Sequence, residues 1–358
     1  MACVQGSSLR IMQPLAQATL VGALLVGGCQ ALDRRAGLDR NPSEVLPPRA
    51  RNVPTTQEAP PDVPKPLTAE EQARILQQQG LTDQALAAFE RAIEENPRAT
   101  TAYISAGEIY YQKGDVNAAQ GRFETAGEVD PSNFVAHYKN GLMLQLLNRP
   151  AEAVAAYLRS LVINPYDFNA NLNIATAYLQ LNDSRQAITY AEQAVKIDRK
   201  SAVARVNLGV VYAKVGRHKD AVAEYREAAQ LAELSPPLLL NLALSLGKMD
   251  PPRFEEMLST LDELLKLDPS PVAHERRGYA LFKLKRYDES ETAFKAALAM
   301  DERHYPAHNG LGVLHINAWL LSDREKEDAH QAALESWRKS LRIDGNQPRI
   351  REFVGMYQ

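Results

Sequence analysis

The chain has 358 residues, and an apolar share of 45% is enough to bury a substantial core. Its 41 basic and 44 acidic residues leave a formal charge of −3, which excludes the basic excess that a nucleic-acid partner demands. Only two cysteines occur, Cys3 and Cys29, both within the first thirty residues, so no disulfide framework staples the body of the chain.

Arg10 is the only charge before Asp33 and precedes an apolar run from Leu20 to Val26. The run falls short of the roughly 20 apolar residues that a membrane-spanning helix requires, and residues 1–28 read as a secretory signal. Val26-Gly27-Gly28-Cys29 resembles the bacterial lipobox, with valine where leucine is usual and glycine where alanine or serine is usual. That resemblance implies cleavage before Cys29 and lipidation of its thiol; a plain secretory signal or an uncleaved anchor would also export the chain. In didermal bacteria of the enteric type an aspartate after the lipidated cysteine retains a lipoprotein at the inner membrane. Here that place holds Gln30, so the implied destination is the cell envelope, on the outer membrane and facing the periplasm. The several acyl chains of a mature lipoprotein hold durably where one alone would not.

Residues 29–65 carry Pro42, Pro47, Pro48, Pro54, Pro60, Pro61 and Pro64 with few large apolar residues and no helical period. Such a segment cannot bury enough surface to offset its ordering entropy, and is expected to be a partly polyproline linker. As a flexible coil it would span roughly 35 Å.

From residue 66 to 344 one period governs the sequence. Ala85, Ala119, Ala153, Ala187 and Ala221 stand 34 residues apart, and Phe89, Phe123, Tyr157, Ala191 and Tyr225 follow four residues later. Three further on come Ala92, Ala126, Ser160, Ala194 and Ala228. Steps of four and three put these on one helical face. An earlier helix in each unit keeps the same register through Gly107, Gly141, Ala175 and Gly209. Pro97, Pro131 and Pro165 follow the second helix, and Gly80, Gly114 and Gly216 fall between the two, where a residue free to take positive φ closes the turn.

The run Gly107, Ala119, Phe123, Ala126, Pro131 resembles the tetratricopeptide repeat. The resemblance implies an all-α solenoid, a right-handed superhelix of about eight helix-turn-helix units. These begin near Pro66, Thr100, Phe134, Phe168, Ala202, Pro236, Pro271 and Tyr305. No unit would fold alone, and stacking buries a continuous core. Lys248–Arg253 reads as a lengthened inner turn in the sixth unit, and Trp319–Glu327 as a helix extension or exposed loop in the eighth. Residues 345–358 supply a short capping helix, with Ile350, Phe353, Val354 and Tyr357 apolar.

In that family the first helices line a concave face that takes extended peptides or helices. Carried over by position, the inner wall here consists of Tyr138, Leu142, Leu172, Thr176, Val206, Val210, Glu275 and Tyr279. Asn173, Asn207 and Asn241 recur on the same helices and resemble the asparagine ladder in the repeat domain of O-linked N-acetylglucosamine transferase. Stacked amides of this kind hydrogen-bond a peptide backbone without reading its side chains. Asparagine is also common at this position across the family whatever the partner. The cationic clamp that some members use for a terminal carboxylate is matched only in part, by Lys139 and Asn173. His308 and His315 take packing positions held elsewhere by Tyr103 and Tyr110, so they are expected in the core rather than on a metal. No phosphate loop, nucleophile elbow or dinucleotide fingerprint occurs. The expectation is a non-enzymatic scaffold for an envelope assembly, secretion or cell-wall complex, with no cofactor and no small-molecule substrate. It would touch the membrane only through its lipid. The competing expectation is a chaperone-like receptor that holds unfolded or extended clients in the same groove.

Overall fold

The computed structural model describes residues 67–358, so the signal segment, Cys29 and the proline-rich tract lie outside the described residues. Every regular element among them is an α-helix. Eight consecutive pairs follow one another: α1 (Ala69–Gln78) with α2 (Thr82–Glu95), α3 (Thr100–Gln112) with α4 (Val116–Val129), α5 (Phe134–Leu146) with α6 (Pro150–Ile163), and α7 (Phe168–Gln180) with α8 (Ser184–Ile197). They continue as α9 (Ala202–Lys214) with α10 (His218–Leu231), α11 (Pro236–Leu246) with α12 (Phe254–Leu267), α13 (Pro271–Lys283) with α14 (Tyr287–Met300), and α15 (Tyr305–Leu321) with α16 (Glu327–Ile343). A single helix, α17 (Pro348–Met356), closes the series.

Local chemistry sets the helix ends. Thr68 and Glu71 form a reciprocal capping box: the Glu71 N–H donates to Thr68 Oγ1 at 3.2 Å, and the Thr68 N–H donates to Glu71 Oε2 at 2.8 Å. Asp115, Asn133, Asp167, Asp183, Ser201 and Ser270 each accept from a first-turn amide. Between paired helices the backbone passes through the left-handed region at Gly80, Gly114 and Gly216. Asn148, Asn182 and Lys285 do so in other units. Asparagine bears that conformation with little strain, whereas lysine adopts it only because the packed helices on either side dictate the turn.

Two units depart from the common length. In the sixth, seven residues separate α11 from α12, and the Arg253 N–H donates to the Leu246 carbonyl at 3.0 Å to close the wider loop. In the eighth, both helices grow to 17 residues against 13 and 14 in the third unit, so the extra sequence is a paired extension and not a loose insert. Trp319 in the added turn stacks on His330 across the pair, ring centroids 4.5 Å apart.

Each helix packs on its pair partner, and each second helix on the first helix of the next unit. The first helices of adjacent units also meet directly, α5 with α7, α7 with α9 and α9 with α11. Second helices reach each other through long ionic side chains, as Arg122 does to Glu90 at 2.7 Å and Arg226 to Glu256. The crowded side is therefore the side of the first helices, which makes it the inner face of the solenoid. No helix among the described residues is long and apolar enough to cross a membrane. Ile350 of α17 is buried, and Phe353 and Val354 pack beside it on the face that α16 would otherwise leave open.

Candidate functional site

The repeat brings one stripe of each first helix to the inner face. Tyr138 and Leu142 on α5, Asn173 and Thr176 on α7, Val206, Asn207 and Val210 on α9, Asn241 on α11 and Tyr279 on α13 are all half-buried. The apolar members among them pack their stems against the core, Tyr138 and Leu142 over Tyr157, and Val206 and Val210 over Tyr225, while their outer edges remain open. Phe134 stacks on Tyr138 with ring centroids 5.7 Å apart, which fixes the phenol's direction along the wall.

Two positions assigned to the wall lie beneath it. Leu172 is 2% exposed and packs between Ala194 of α8 and Ala204 of α9. Glu275 is 1% exposed, with Tyr305 at the start of α15 close enough to feel its charge. The next unit's helices cover both, and that overlap is not contained in the 34-residue spacing. Burial pushes the Glu275 carboxyl above the usual carboxylate range, against the weaker pull of Arg276. Arg276 Nε lies 3.2 Å from Glu275 Oε2 but is too poorly aligned to hydrogen-bond, and Oε1 has no partner among the described residues.

The three asparagines are not equivalent. Asn173 Nδ2 donates to the Tyr138 hydroxyl oxygen at 3.1 Å, so that amide already bridges two units. Burial, then the charge of Asp167, push the Tyr138 hydroxyl up to about 12, and it keeps its proton at neutral pH. The side chains of Asn207 and Asn241 make no hydrogen bond among the described residues. Each offers a donor and an acceptor to whatever lies on the face. Thr176 Oγ1 donates back to the Leu172 carbonyl at 3.2 Å. Lys139 Nζ donates to Glu108 Oε1 at 2.6 Å, so the partial cationic clamp is already neutralised within the chain.

His308 is buried with Nε2 3.0 Å from the Glu302 carbonyl oxygen, and His315 lies 3.6 Å from Glu291. Away from the inner face, two shallow clefts of about 400 and 460 Å³ flank Val162 of α6, beside α4 and α8. Leu158, Val162 and Tyr166 are exposed there. Sequence reasoning missed this patch, because Leu158 and Val162 sit on the same helix as core residues and read as part of one apolar stripe.

A family model of the tetratricopeptide repeat matches residues 70–119, 106–168 and 172–236, and a second model of the same repeat matches residues 271–304. Together they cover more than half of the chain. They leave out the sixth and eighth pairs, the two whose lengths depart from the rule. Among solved structures, the C-terminal part of a repeat-containing protein from Cytophaga hutchinsonii is 16% identical with a TM-score of 0.55, over 67% of this chain and 98% of that one. A tetratricopeptide repeat protein from Parabacteroides merdae is 15% identical with a TM-score of 0.54, over 72% and 98%. The Cut9–Hcn1 hetero-tetramer of the APC/C is 17% identical with a TM-score of 0.53, over 81% and 55%. At such identities the likeness concerns the fold alone. No curated protein matches the sequence.

Proposed function

The chain belongs to the tetratricopeptide repeat family, and from that premise we propose that it is a protein-binding scaffold whose partner lies along the inner face of the first helices. One observation carries this reading: the stack leaves Asn207 and Asn241 without hydrogen-bond partners among the described residues, set beside the half-open apolar edges of Val206 and Val210. Amides one unit apart can pair with successive backbone groups of an extended segment, while the apolar edges bury its side chains. Repeats of this family generally act as interaction modules without catalysis of their own.

The same proposal puts the scaffold in the cell envelope, held to the outer membrane by lipid on Cys29 and recruiting components of an assembly, secretion or cell-wall complex. What supports the anchor is the short apolar run ending in Val26-Gly27-Gly28-Cys29 and the glutamine that follows.

The test is a cross-linking pull-down from membranes with the full chain. Replacing Asn173, Asn207 and Asn241 together by alanine should remove the captured partner while leaving the thermal melting curve of the array nearly unchanged, since two of the three amides bond nothing within it. Cys29→Ala should keep the partner but abolish metabolic labelling of the chain by a palmitate analogue. Capture of many unfolded proteins instead of one saturable folded partner would favour the chaperone-like receptor. Unchanged capture by the triple variant would overturn the groove.

A further inference from the structure

We propose that the inner face of the fifth to seventh units carries a cationic row that takes an acidic stretch of the partner polypeptide, which extends the scaffold reading above and rests on it. Lys214, Lys248 and Lys283 recur at steps of 34 and 35 residues, at or just past the ends of α9, α11 and α13. None of the three forms an ion pair among the described residues, nor does any of them donate a side-chain hydrogen bond there. The other end of the array differs. There Lys113 pairs with Asp83 and Lys139 with Glu108, and the places matching the three lysines hold Gln112, Leu146 and Gln180.

Helix polarity alone does not account for the row. A lysine in a last turn gains about 0.3–1 kcal/mol from the helix dipole, which could explain Lys214 or Lys283 separately. Lys248 is a different case. Burial, then the charges of Arg276 and Lys214, hold its amine below the usual range, so three cations share one neighbourhood in which like charges repel. Around them lie polar atoms that the chain does not satisfy among its described residues: His218 Nδ1, Arg276 Nε and His304 Nε2. His218 feels Lys248, and His304 feels Arg276. Of the acids nearby, Glu275 is buried beside Arg276, Asp301 is set against His304 and Asp220 is paired with Arg217, while Asp250 follows Lys248 by two residues. An anionic ligand beside the amines would relieve the repulsion.

The occupant is a polypeptide because the row continues the amide ladder. Asn207 and Lys214 share α9 seven residues apart, which places amide and amine on one face two turns from each other; Asn241 lies on α11, and Lys248 stands seven residues further on, in the turn just past that helix. Neighbouring helices stand about 8–10 Å apart, and a chain in the polyproline II conformation advances about 3.1 Å per residue with about three residues per turn, so that every third side chain shares one face. Acidic side chains at every third residue would therefore meet successive lysines while the backbone stays within reach of the amides.

The probes are three acetylated, amidated dodecapeptides with glutamate, glutamine or lysine at every third residue, and vesicles containing phosphatidylglycerol, each titrated onto the full chain. The glutamate peptide should bind at least about tenfold more tightly than the glutamine peptide at low salt, and the advantage should shrink as the Debye length falls to about 3 Å near 1 M salt. Changing Lys214, Lys248 and Lys283 to glutamine should abolish the advantage with no loss of helical signal, and changing them to arginine should preserve it. Equal binding of both peptides, lost on Asn207→Ala with Asn241→Ala, would overturn the acidic partner and keep the groove. Lysine-dependent binding to the vesicles without binding of the glutamate peptide would assign the row to a lipid surface and overturn the proposal. Binding of no peptide would overturn both the row and the groove.

Discussion

Gly141→Val is expected to destabilise α5 and α6 by about 3 kcal/mol, through overpacking at a site with no room to yield. A Cβ at Gly141 would stand 2.6 Å from two ring atoms of Tyr157. The ring cannot retreat: Tyr157 is fully buried, its hydroxyl donates to Gln145 Oε1 at 2.9 Å, and Tyr138 lies against it with centroids 6.0 Å apart. Tyr157→Ala removes the ring and leaves a cavity, for an expected loss of about 3–5 kcal/mol. In the double variant the valine enters the space that the ring vacated, so the combined loss should fall short of the sum by at least about 1 kcal/mol. Hydrogen exchange of the α5 and α6 amides is the appropriate reading, because stability in a repeat array is local and one global value would blur it. Strict additivity would deny that the glycine–aromatic contact is the unit of packing. The contact recurs at Gly107 with Phe123, Gly209 with Tyr225 and Gly278 with Phe294. In the fourth unit the aromatic gives way to Ala191, and the first helix there holds Ala175 where glycine stands elsewhere.

Trp337→Ala should release the C-terminal end of the array while the middle holds. The indole is 1% exposed and rests on Gly312, where an added Cβ would lie 2.2 Å from its Nε1. Phe353 and Tyr357 of the closing segment approach it with centroids at 5.5 and 6.1 Å. Removing it opens a cavity where α15, α16 and α17 meet, at an expected 3–5 kcal/mol, roughly. A terminal unit leans on one neighbour only, and the indole sits at the centre of the apolar contacts between α16 and α17. The amides of α15 to α17 should then exchange rapidly with those of α5 to α10 still protected. A uniform loss of protection along the chain would mean that the array unfolds as one body.

How much of this was legible depended on which force set each feature. The 34-residue steps of Ala85, Phe89 and Ala92 recur because every unit meets the same neighbours, so the pairs and their starts at Thr100, Phe134, Phe168 and Ala202 follow from periodicity. The turns at Gly80, Gly114 and Gly216 were equally plain. Asn148 and Asn182 take the same backbone geometry, which asparagine tolerates and signals more weakly than glycine, whereas packing imposes it on Lys285, whose side chain does not announce it. Periodicity assigns a residue to a face without telling how far the next unit overlaps it, which is why Leu172 and Glu275 lie beneath the surface where wall positions were expected. Pairs such as Lys139 with Glu108 depend on side-chain reach between units, and single-helix patterns hold no record of them. The 21 residues between Gly312 and Ala333 showed that the eighth unit was longer; that both helices absorb the excess follows from Trp319 finding His330 across the pair.

The proposed scaffold holds its partner on the inner face of the first helices. The most direct measurement places a photo-reactive residue in the full chain either at Val210 of α9 or at the exposed Glu227 of α10, irradiates intact cells, and compares the adducts. A discrete adduct from position 210 that vanishes with Asn207→Ala and Asn241→Ala, and no such adduct from position 227, is the result predicted. An adduct from position 227 with none from position 210 would contradict the claim and move the working surface to the outer helices.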